Sequence, residues 1–201
     1  MKPFVTLATR ACPLPVANVD TDQLIPARFM KQPRSAGYGA FLLHDLRREA
    51  GNPATVLDDP RHAGAQVLVA RRNFGCGSSR EAAVYALADH GIRCVIAPSF
   101  GDIFASNAVK NGLLPARLPE EQVDELLQDA LVLGGGPLEV DLPSQTIRVG
   151  NKVFAFEIEP VWKTQLVNGW DDIDMTRSYA AEIERFAAQD AAARPWAAPA
   201  G

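Results

Sequence analysis

The sequence predicts an α/β fold with a central parallel strand-helix-strand unit, followed by a C-terminal β-meander and helices. Three observations predict the central unit: apolar residues that indicate a strand over 67–71, an alanine-rich stretch that indicates a helix over about 79–90, and further apolar residues that indicate a strand over 93–97. Strands joined through a helix are parallel, with a right-handed crossover. Alternating apolar residues between turn residues then predict the meander over 138–158.

Composition is ordinary for a globular protein, with 201 residues, 47% of them hydrophobic and 22% charged. We expect one domain over residues 1–190 and a disordered Ala/Pro-rich tail at 191–201. The formal net charge of -4 gives nucleic-acid binding no general electrostatic support. No apolar run approaches the roughly 20 residues of a membrane span, and the chain starts without an apolar signal segment. A cytoplasmic location is therefore expected.

The segments before the central unit predict a strand over 4–9 and a proline-broken connection over 11–15. Residues 31–39 are basic and glycine-rich, which predicts a mobile loop. Its Arg34 could close on an acidic substrate, or it could belong to a solvated surface loop. Residues 41–50 predict a helix.

The segments after the central unit begin with a second turn at 98–102, which precedes a helix that ends at Lys110. The rest follow from periodicity and turn residues: a helix from 119 broken by the glycines 134–136, strands over 138–142, 146–149 and 152–158, a helix over 161–169, a turn over 170–174, and a helix over 177–189.

Cysteine and histidine spacing indicates no metal site within this chain. The three cysteines lie far apart without a C-x-x-C pair, so neither a disulfide framework nor a self-contained zinc or iron–sulfur site is indicated. The histidines show no ligand spacing either. If a metal takes part, another chain supplies it. These residues are Cys12, Cys76, Cys94, His44, His62 and His90.

The most informative stretch is Asn73-Phe-Gly-Cys-Gly-Ser-Ser-Arg-Glu81, which lies between the first central strand and its helix. The first turn of a helix has free N–H groups and the positive end of the helix dipole, so it suits an anion. An arginine there can bind a carboxylate or phosphate through two nitrogens. One interpretation is therefore an anion site with a usable serine. The other is that Ser78 or Ser79 caps the helix and Arg80 is an exposed helix residue.

Two further polar turns are candidates for the same site. Residues 18–22 hold asparagine, aspartate and threonine, which form plain turns but also occur in site loops. The turn at 99–102 follows the second central strand, so it should lie at the same sheet edge as Ser78. Open α/β sheets bind ligands at that edge.

Stretch 73–81 resembles the serine–arginine signature of the aconitase superfamily's swivelling domain. The wider pattern resembles the family of 3-isopropylmalate dehydratase small subunits, over about residues 4–185. Several linked motifs in the right order are more specific than any one of them. The supporting stretches are 18–29, 95–104, 111–115 and 168–173.

The resemblance implies a β/β/α swivelling domain of the aconitase type. It implies a heterodimer with a large subunit, whose three cysteines hold a [4Fe-4S] cluster; this chain binds no cofactor. The pair would move a hydroxyl between adjacent carbons of 2-isopropylmalate, a small branched dicarboxylic acid, through an alkene in leucine biosynthesis. The cluster iron would be the Lewis acid that removes the hydroxyl.

The resemblance also implies roles for individual residues. Ser78 matches the family's catalytic serine. In its alkoxide form, that serine removes a proton from a carbon of the substrate. A serine needs the positive end of a helix, backbone N–H donors and an adjacent cation to hold that anion, and Ser78 beside Arg80 is expected to have them. Residues that would bind or orient the substrate are Ser79, Arg80, Thr21, Asp22 and Arg34.

Departures from the family pattern leave the substrate open. Ala82 stands where the family often has histidine, and Arg34 is displaced by one position. Related hydro-lyases act on homoaconitate, citraconate/2-methylmalate and dimethylmalate. Two other classes also stay open: a non-catalytic anion-binding or regulatory domain, and a hydrolase with Cys76 as its nucleophile.

Overall fold

The computed structural model describes residues 1–132 and 137–197, and its strands form one seven-stranded sheet in the order β4-β3-β2-β1-β5-β6-β7. The strands are β1 (Thr6–Leu14), β2 (Val67–Ala70), β3 (Cys94–Ala97), β4 (Leu114–Arg117), β5 (Pro137–Asp141), β6 (Thr146–Val149) and β7 (Lys152–Ala155). The helices are α1 (Thr21–Leu24), α2 (Glu81–His90), α3 (Asp102–Lys110), α4 (Glu120–Val132), α5 (Pro160–Asn168), α6 (Asp172–Arg177) and α7 (Ala180–Ala193).

The predicted strand-helix-strand unit is confirmed as β2, α2 and β3. The two strands are parallel, with Val67 opposite Cys94. The helix ending at Lys110 and the meander β5-β6-β7 are confirmed as well. The predicted glycine break at 134–136 lies outside the described residues.

Strand β1 joins a parallel half of the sheet to an antiparallel half. Its first part, 6–10, pairs antiparallel with β5, and its second part, 11–14, pairs parallel with β2. The prediction that 11–15 is a connection was therefore wrong. Pro13 is tolerated because this part of β1 has a strand partner on one side only, so the missing N–H can face away from the ladder. The edge strand β4, which contains Pro115, was not predicted.

The predicted helix over 41–50 was also wrong. This region forms two short 3-10 segments, Tyr38–Phe41 and Leu46–Arg48. Leu43 between them has a φ of +48°, a left-handed conformation that a right-handed helix cannot include. Residues 34–36 form a further 3-10 turn, and the mobility of the loop over 31–39 stays a prediction.

The C-terminal helices differ in their bounds from the prediction. A helix, α6, replaces most of the predicted turn at 170–174, because the Asp171 carboxylate accepts the N–H groups of Ile173 and Asp174 and starts it. Helix α7 continues to Ala193, and residues 195–197 form a 3-10 turn. Residues 198–201 of the predicted tail lie outside the described residues, and the domain boundary stays a prediction.

The parallel strands are buried on both faces, as is typical of a sheet covered by helices on each side. Leu68 and Val95 face a core cluster that includes apolar residues of α2 and α3. Val67 and Ile96 face a second cluster, which α4 covers. The loops after β1, β2 and β3 lie together at the carboxyl edge of the parallel strands. Within 1–132 and 137–197, no helix has the length and apolarity needed to cross a membrane.

Candidate active site

The turn after β2 is shaped by alternating left-handed residues. Asn73, Gly75 and Gly77 have φ values of +60°, +73° and +94°. A Cβ on Gly75 would lie 2.2 Å from Cγ of Phe104 in α3, so only glycine fits there. The turn thus packs directly against α3, and it presents Ser78 at the surface.

Neither serine caps the following helix. The N-cap of α2 is Arg80, and no side chain caps the helix. The capping interpretation of Ser78 and Ser79 was therefore wrong. Both serines are exposed, and neither hydroxyl has a hydrogen-bond partner among the described residues. Only the backbone of Ser78 is held: its carbonyl accepts the Arg80 N–H at 2.8 Å.

The polar stretch 18–22 leads into α1, with Asp20 as its N-cap, and its role in a site stays a prediction. The N–H of Gln23 donates to the Asp20 carboxylate at 2.7 Å, and the N–H of Asp20 donates to the Gln23 side chain at 2.9 Å, forming a capping box. The N–H of Thr21 donates to the Cys76 carbonyl at 2.9 Å. This bond joins α1 to the Ser78 turn.

The structure brings Thr21, Asp22, Ser78 and Arg80 together. The Thr21 side chain is only 2% exposed, and its hydroxyl donates to the Ser78 carbonyl at 3.0 Å. Thr21 therefore holds the serine backbone. The Asp22 carboxylate forms an ion pair with the Arg80 guanidinium. With 25% of the Arg80 side chain and 55% of the Asp22 side chain exposed, this pair is open to exchange with a soluble anion.

Arg34 is not brought to the serine turn. Its guanidinium donates to Asp89 through two nitrogens, at 2.6 Å and 3.0 Å, and lies 4.1 Å from the Tyr85 ring centroid. Asp89 is near the far end of α2, about 12 Å along the axis from Glu81. The role of Arg34 at the substrate stays a prediction.

The predicted meeting of the two turns at one sheet edge is confirmed. The N–H of Phe74 donates to the Ser99 carbonyl at 3.0 Å, and the N–H of Gly101 donates to the Phe74 carbonyl at 2.9 Å. Residues 75–78 and 101–104 line a groove of about 180 Å³ between the turns. The sequence placed both turns at this edge, but it gave no signal for the hydrogen bonds that join them.

The environment of Cys76 disfavours a thiolate. Partial burial raises the pKa of its thiol, and the negative charge of Asp20 raises it further. A higher pKa leaves less thiolate at neutral pH, which argues against a nucleophilic role. Cys12 and Cys94 are buried, and burial raises the pKa of the Cys12 thiol to about 12.

We expect Cys76 to react slowly with iodoacetamide at neutral pH in the folded chain, well below the rate in the unfolded chain. Mass spectrometry of the labelled peptide measures both rates. Asp20→Asn is the matched variant: asparagine keeps the cap but removes the charge, so labelling should accelerate. Equal rates in folded and unfolded chains would refute the neutral thiol.

The histidine, cysteine and acidic side chains of the described residues do not form a metal site. Within the described ranges, no three histidine, cysteine or acidic side chains come together in a way that could hold a metal ion. Cys12 and Cys94 lie in the buried sheet, separate from Cys76 in the serine turn.

Comparison with known proteins agrees with this architecture. The family model described as the aconitase C-terminal domain matches residues 1–121, and the LeuD_N model matches residues 124–160. A solved structure of 3-isopropylmalate dehydratase from Methanocaldococcus jannaschii aligns with a TM-score of 0.64 and 26% identity, covering 90% of this chain and 98% of that one. The predicted aconitase-type α/β fold is thereby confirmed.

Curated relatives match over nearly the whole chain. Proteins named 3-isopropylmalate dehydratase small subunit from Dinoroseobacter shibae and Afipia carboxidovorans are 46% and 48% identical, each alignment covering 98% of this chain and 100% of the relative. The small-subunit designation implies a large-subunit partner. The chain belongs to the family of 3-isopropylmalate dehydratase small subunits.

Proposed function

We propose that this chain is the small subunit of a hydro-lyase that interconverts 2-isopropylmalate and 3-isopropylmalate in leucine biosynthesis. The observation that carries the proposal is the convergence of Asp22 with Arg80 and of Thr21 with Ser78, across separations of 58 and 57 residues. The family relationship supports the same activity. We assign the enzyme to the cytoplasm, with no nucleic-acid or membrane partner.

Ser78 is the proposed base. Dehydration removes a proton from one carbon and a hydroxyl from its neighbour, and rehydration restores them in exchanged positions. The Ser78 hydroxyl is exposed and is not bound to another described side chain, so it is free to face a substrate. The Arg80 guanidinium two residues later supplies positive charge that favours the alkoxide.

Arg80, with Ser79 beside it, is the proposed binder of a substrate carboxylate. A guanidinium can pair with a carboxylate through two parallel hydrogen bonds, and in the isolated chain one nitrogen of Arg80 donates to Asp22. A substrate carboxylate that replaces Asp22 at Arg80 would free the aspartate to orient the substrate hydroxyl. Binding would then exchange one ion pair for another.

The partner subunit is proposed to complete the site. Removal of the hydroxyl is assigned to the large subunit, for which the resemblance implies a [4Fe-4S] cluster, because this chain's described residues do not fit one. This chain is proposed to remove the proton and to bind the substrate carboxylate. Activity is therefore expected from the heterodimer.

Substrate identity is the finer part of the proposal. Ala82 is half-buried directly after Arg80 and Glu81, where the family often has histidine, and Arg34 is bound to Asp89. These departures keep citraconate/2-methylmalate, dimethylmalate and homoaconitate as alternative substrates. Each of these acids carries at least two carboxylates, and the Arg80 guanidinium could bind one carboxylate of any of them.

Co-expression with the cognate large subunit tests the function. The cluster-loaded complex should convert 2-isopropylmalate to a conjugated alkene acid, which is followed by its ultraviolet absorbance, faster than it converts the alternative malates. Preference for another malate would reassign the substrate within the hydro-lyases. Inactivity with every branched malate would refute the enzyme assignment and favour a non-catalytic anion-binding domain.

A further inference from the structure

Two asparagines meet at the edge of the candidate site in a conformation that few residues adopt. Asn18 and Asn73 have φ values of +57° and +60°. The side-chain nitrogen of Asn73 donates to the side-chain oxygen of Asn18 at 2.9 Å. A left-handed backbone conformation costs an ordinary residue roughly 1–2 kcal/mol. Glycine adopts it most readily, and asparagine is among the residues that tolerate it next best. We call this pair the asparagine clasp.

The clasp joins the loops that follow three neighbouring strands. The N–H of Asn18 donates to the Arg72 carbonyl at 2.9 Å, which connects the loop after β1 to the turn after β2. The N–H of Asn73 donates to the Ser99 hydroxyl at 2.8 Å, which connects that turn to the loop after β3. Three loops are thus tied at one point.

Further bonds extend from the clasp towards the serine. The N–H of Gly75 donates to the Val19 carbonyl at 2.7 Å, and the N–H of Thr21 donates to the Cys76 carbonyl at 2.9 Å. This series of hydrogen bonds ends at the bond from the Thr21 hydroxyl to the Ser78 carbonyl. The clasp is therefore the outer end of a connection that sets the position of α1 relative to the serine turn.

Stability alone gives little reason for this arrangement. Both asparagines are exposed, and a single exposed hydrogen bond contributes on the order of 1 kcal/mol, no more than left-handed backbone costs one ordinary residue. Backbone outliers of this kind concentrate at functional sites, where geometry matters more than stability.

We propose that Asn18 and Asn73 are positioning residues that fix Ser78 relative to Asp22 in the catalytic complex. The inference rests on the proposed function. Misplacing a reacting group by about 1 Å can lower a rate by about 100-fold without changing affinity. Loss of the clasp should therefore lower kcat and leave KM nearly unchanged.

Glycine substitutions test this in the reconstituted heterodimer. Asn73→Gly and Asn18→Gly keep the left-handed backbone free of strain but remove the hydrogen bond, so each should lower kcat by about 10- to 100-fold. Because both remove the same bond, the double variant should be no slower than the slower single variant. Asn73→Asp should recover most of kcat, because the Asn18 amide can turn and donate to the new carboxylate.

Gln145→Gly is the matched control. Gln145 also has a positive φ, +55°, and its side chain donates to the Phe156 carbonyl at 3.1 Å, but it lies in the turn between β5 and β6. Its kcat should stay within about twofold of the unsubstituted complex. Clasp variants that also stay within twofold, or whose losses add fully in the double variant, would overturn the proposal.

Hydrogen exchange separates failure of this inference from failure of the proposed function. If the unsubstituted complex turns over no branched malate, the proposed function fails, and the clasp is judged on the small subunit alone. The amides of Gly75 and Thr21 should then exchange at least about tenfold faster in Asn73→Gly than in Gln145→Gly. Equal exchange in the two variants would overturn the clasp.

Discussion

Ser78→Ala is expected to lower kcat of the heterodimer by about 10²- to 10⁴-fold, the usual contribution of a general base. Folding and assembly should be unchanged, because the hydroxyl is exposed and no described side chain binds it. Steady-state kinetics of the cluster-loaded complex, with subunit association measured separately, distinguishes the two effects.

The control for Ser78→Ala is Ser144→Ala. Ser144 is an exposed serine in the turn between β5 and β6, and its hydroxyl donates to Asp141 at 2.7 Å. Its kcat should match that of the unsubstituted complex. A Ser78→Ala complex with normal kcat would remove the serine from the chemistry.

Gly75→Ala is expected to destabilise the chain by about 2–4 kcal/mol, the sum of overpacking and left-handed strain. The new Cβ would lie 2.2–2.6 Å from three ring atoms of Phe104. That ring packs with Phe74 and Phe100, at centroid distances of 5.4 Å and 6.3 Å, so it cannot move without displacing its neighbours. Urea unfolding of the isolated chain measures the change.

Gly37→Ala separates the steric part of this effect from the conformational part. Gly37 has a φ of +90°, but no atom lies within 4 Å of an added Cβ. Alanine there should cost only about 1 kcal/mol. Similar losses at Gly37 and Gly75 would mean that Phe104 does not confine the serine turn.

The central unit could be predicted because its signals are local. Strands β2 and β3 are continuous apolar runs, and Gly91 ends α2 with a φ of +103°. Strand β1 could not be predicted to continue through Pro13, because proline is excluded from a strand only where a neighbouring strand would accept a hydrogen bond from that N–H. That depends on which strands lie beside it.

The candidate site shows the same division. The glycine-punctuated turn and its serines are recognisable from the sequence, whereas the pairing of Arg80 with Asp22 depends on β1 lying beside β2. Arg34 is predicted to bind the substrate, and its guanidinium contacts Asp89 and Tyr85 of α2 in the structure. Long side chains select partners by tertiary placement, for which the local pattern carries no signal.

Titration of the small subunit into a fixed amount of cluster-loaded large subunit is the most direct test of a shared active site. Alkene formation from 2-isopropylmalate should be absent with either subunit alone and should rise to a plateau at equimolar subunits. With Ser78→Ala the complex should form without reaching that plateau. Full activity of the large subunit alone, or the same plateau with Ser78→Ala, would contradict the proposal that this chain supplies the base.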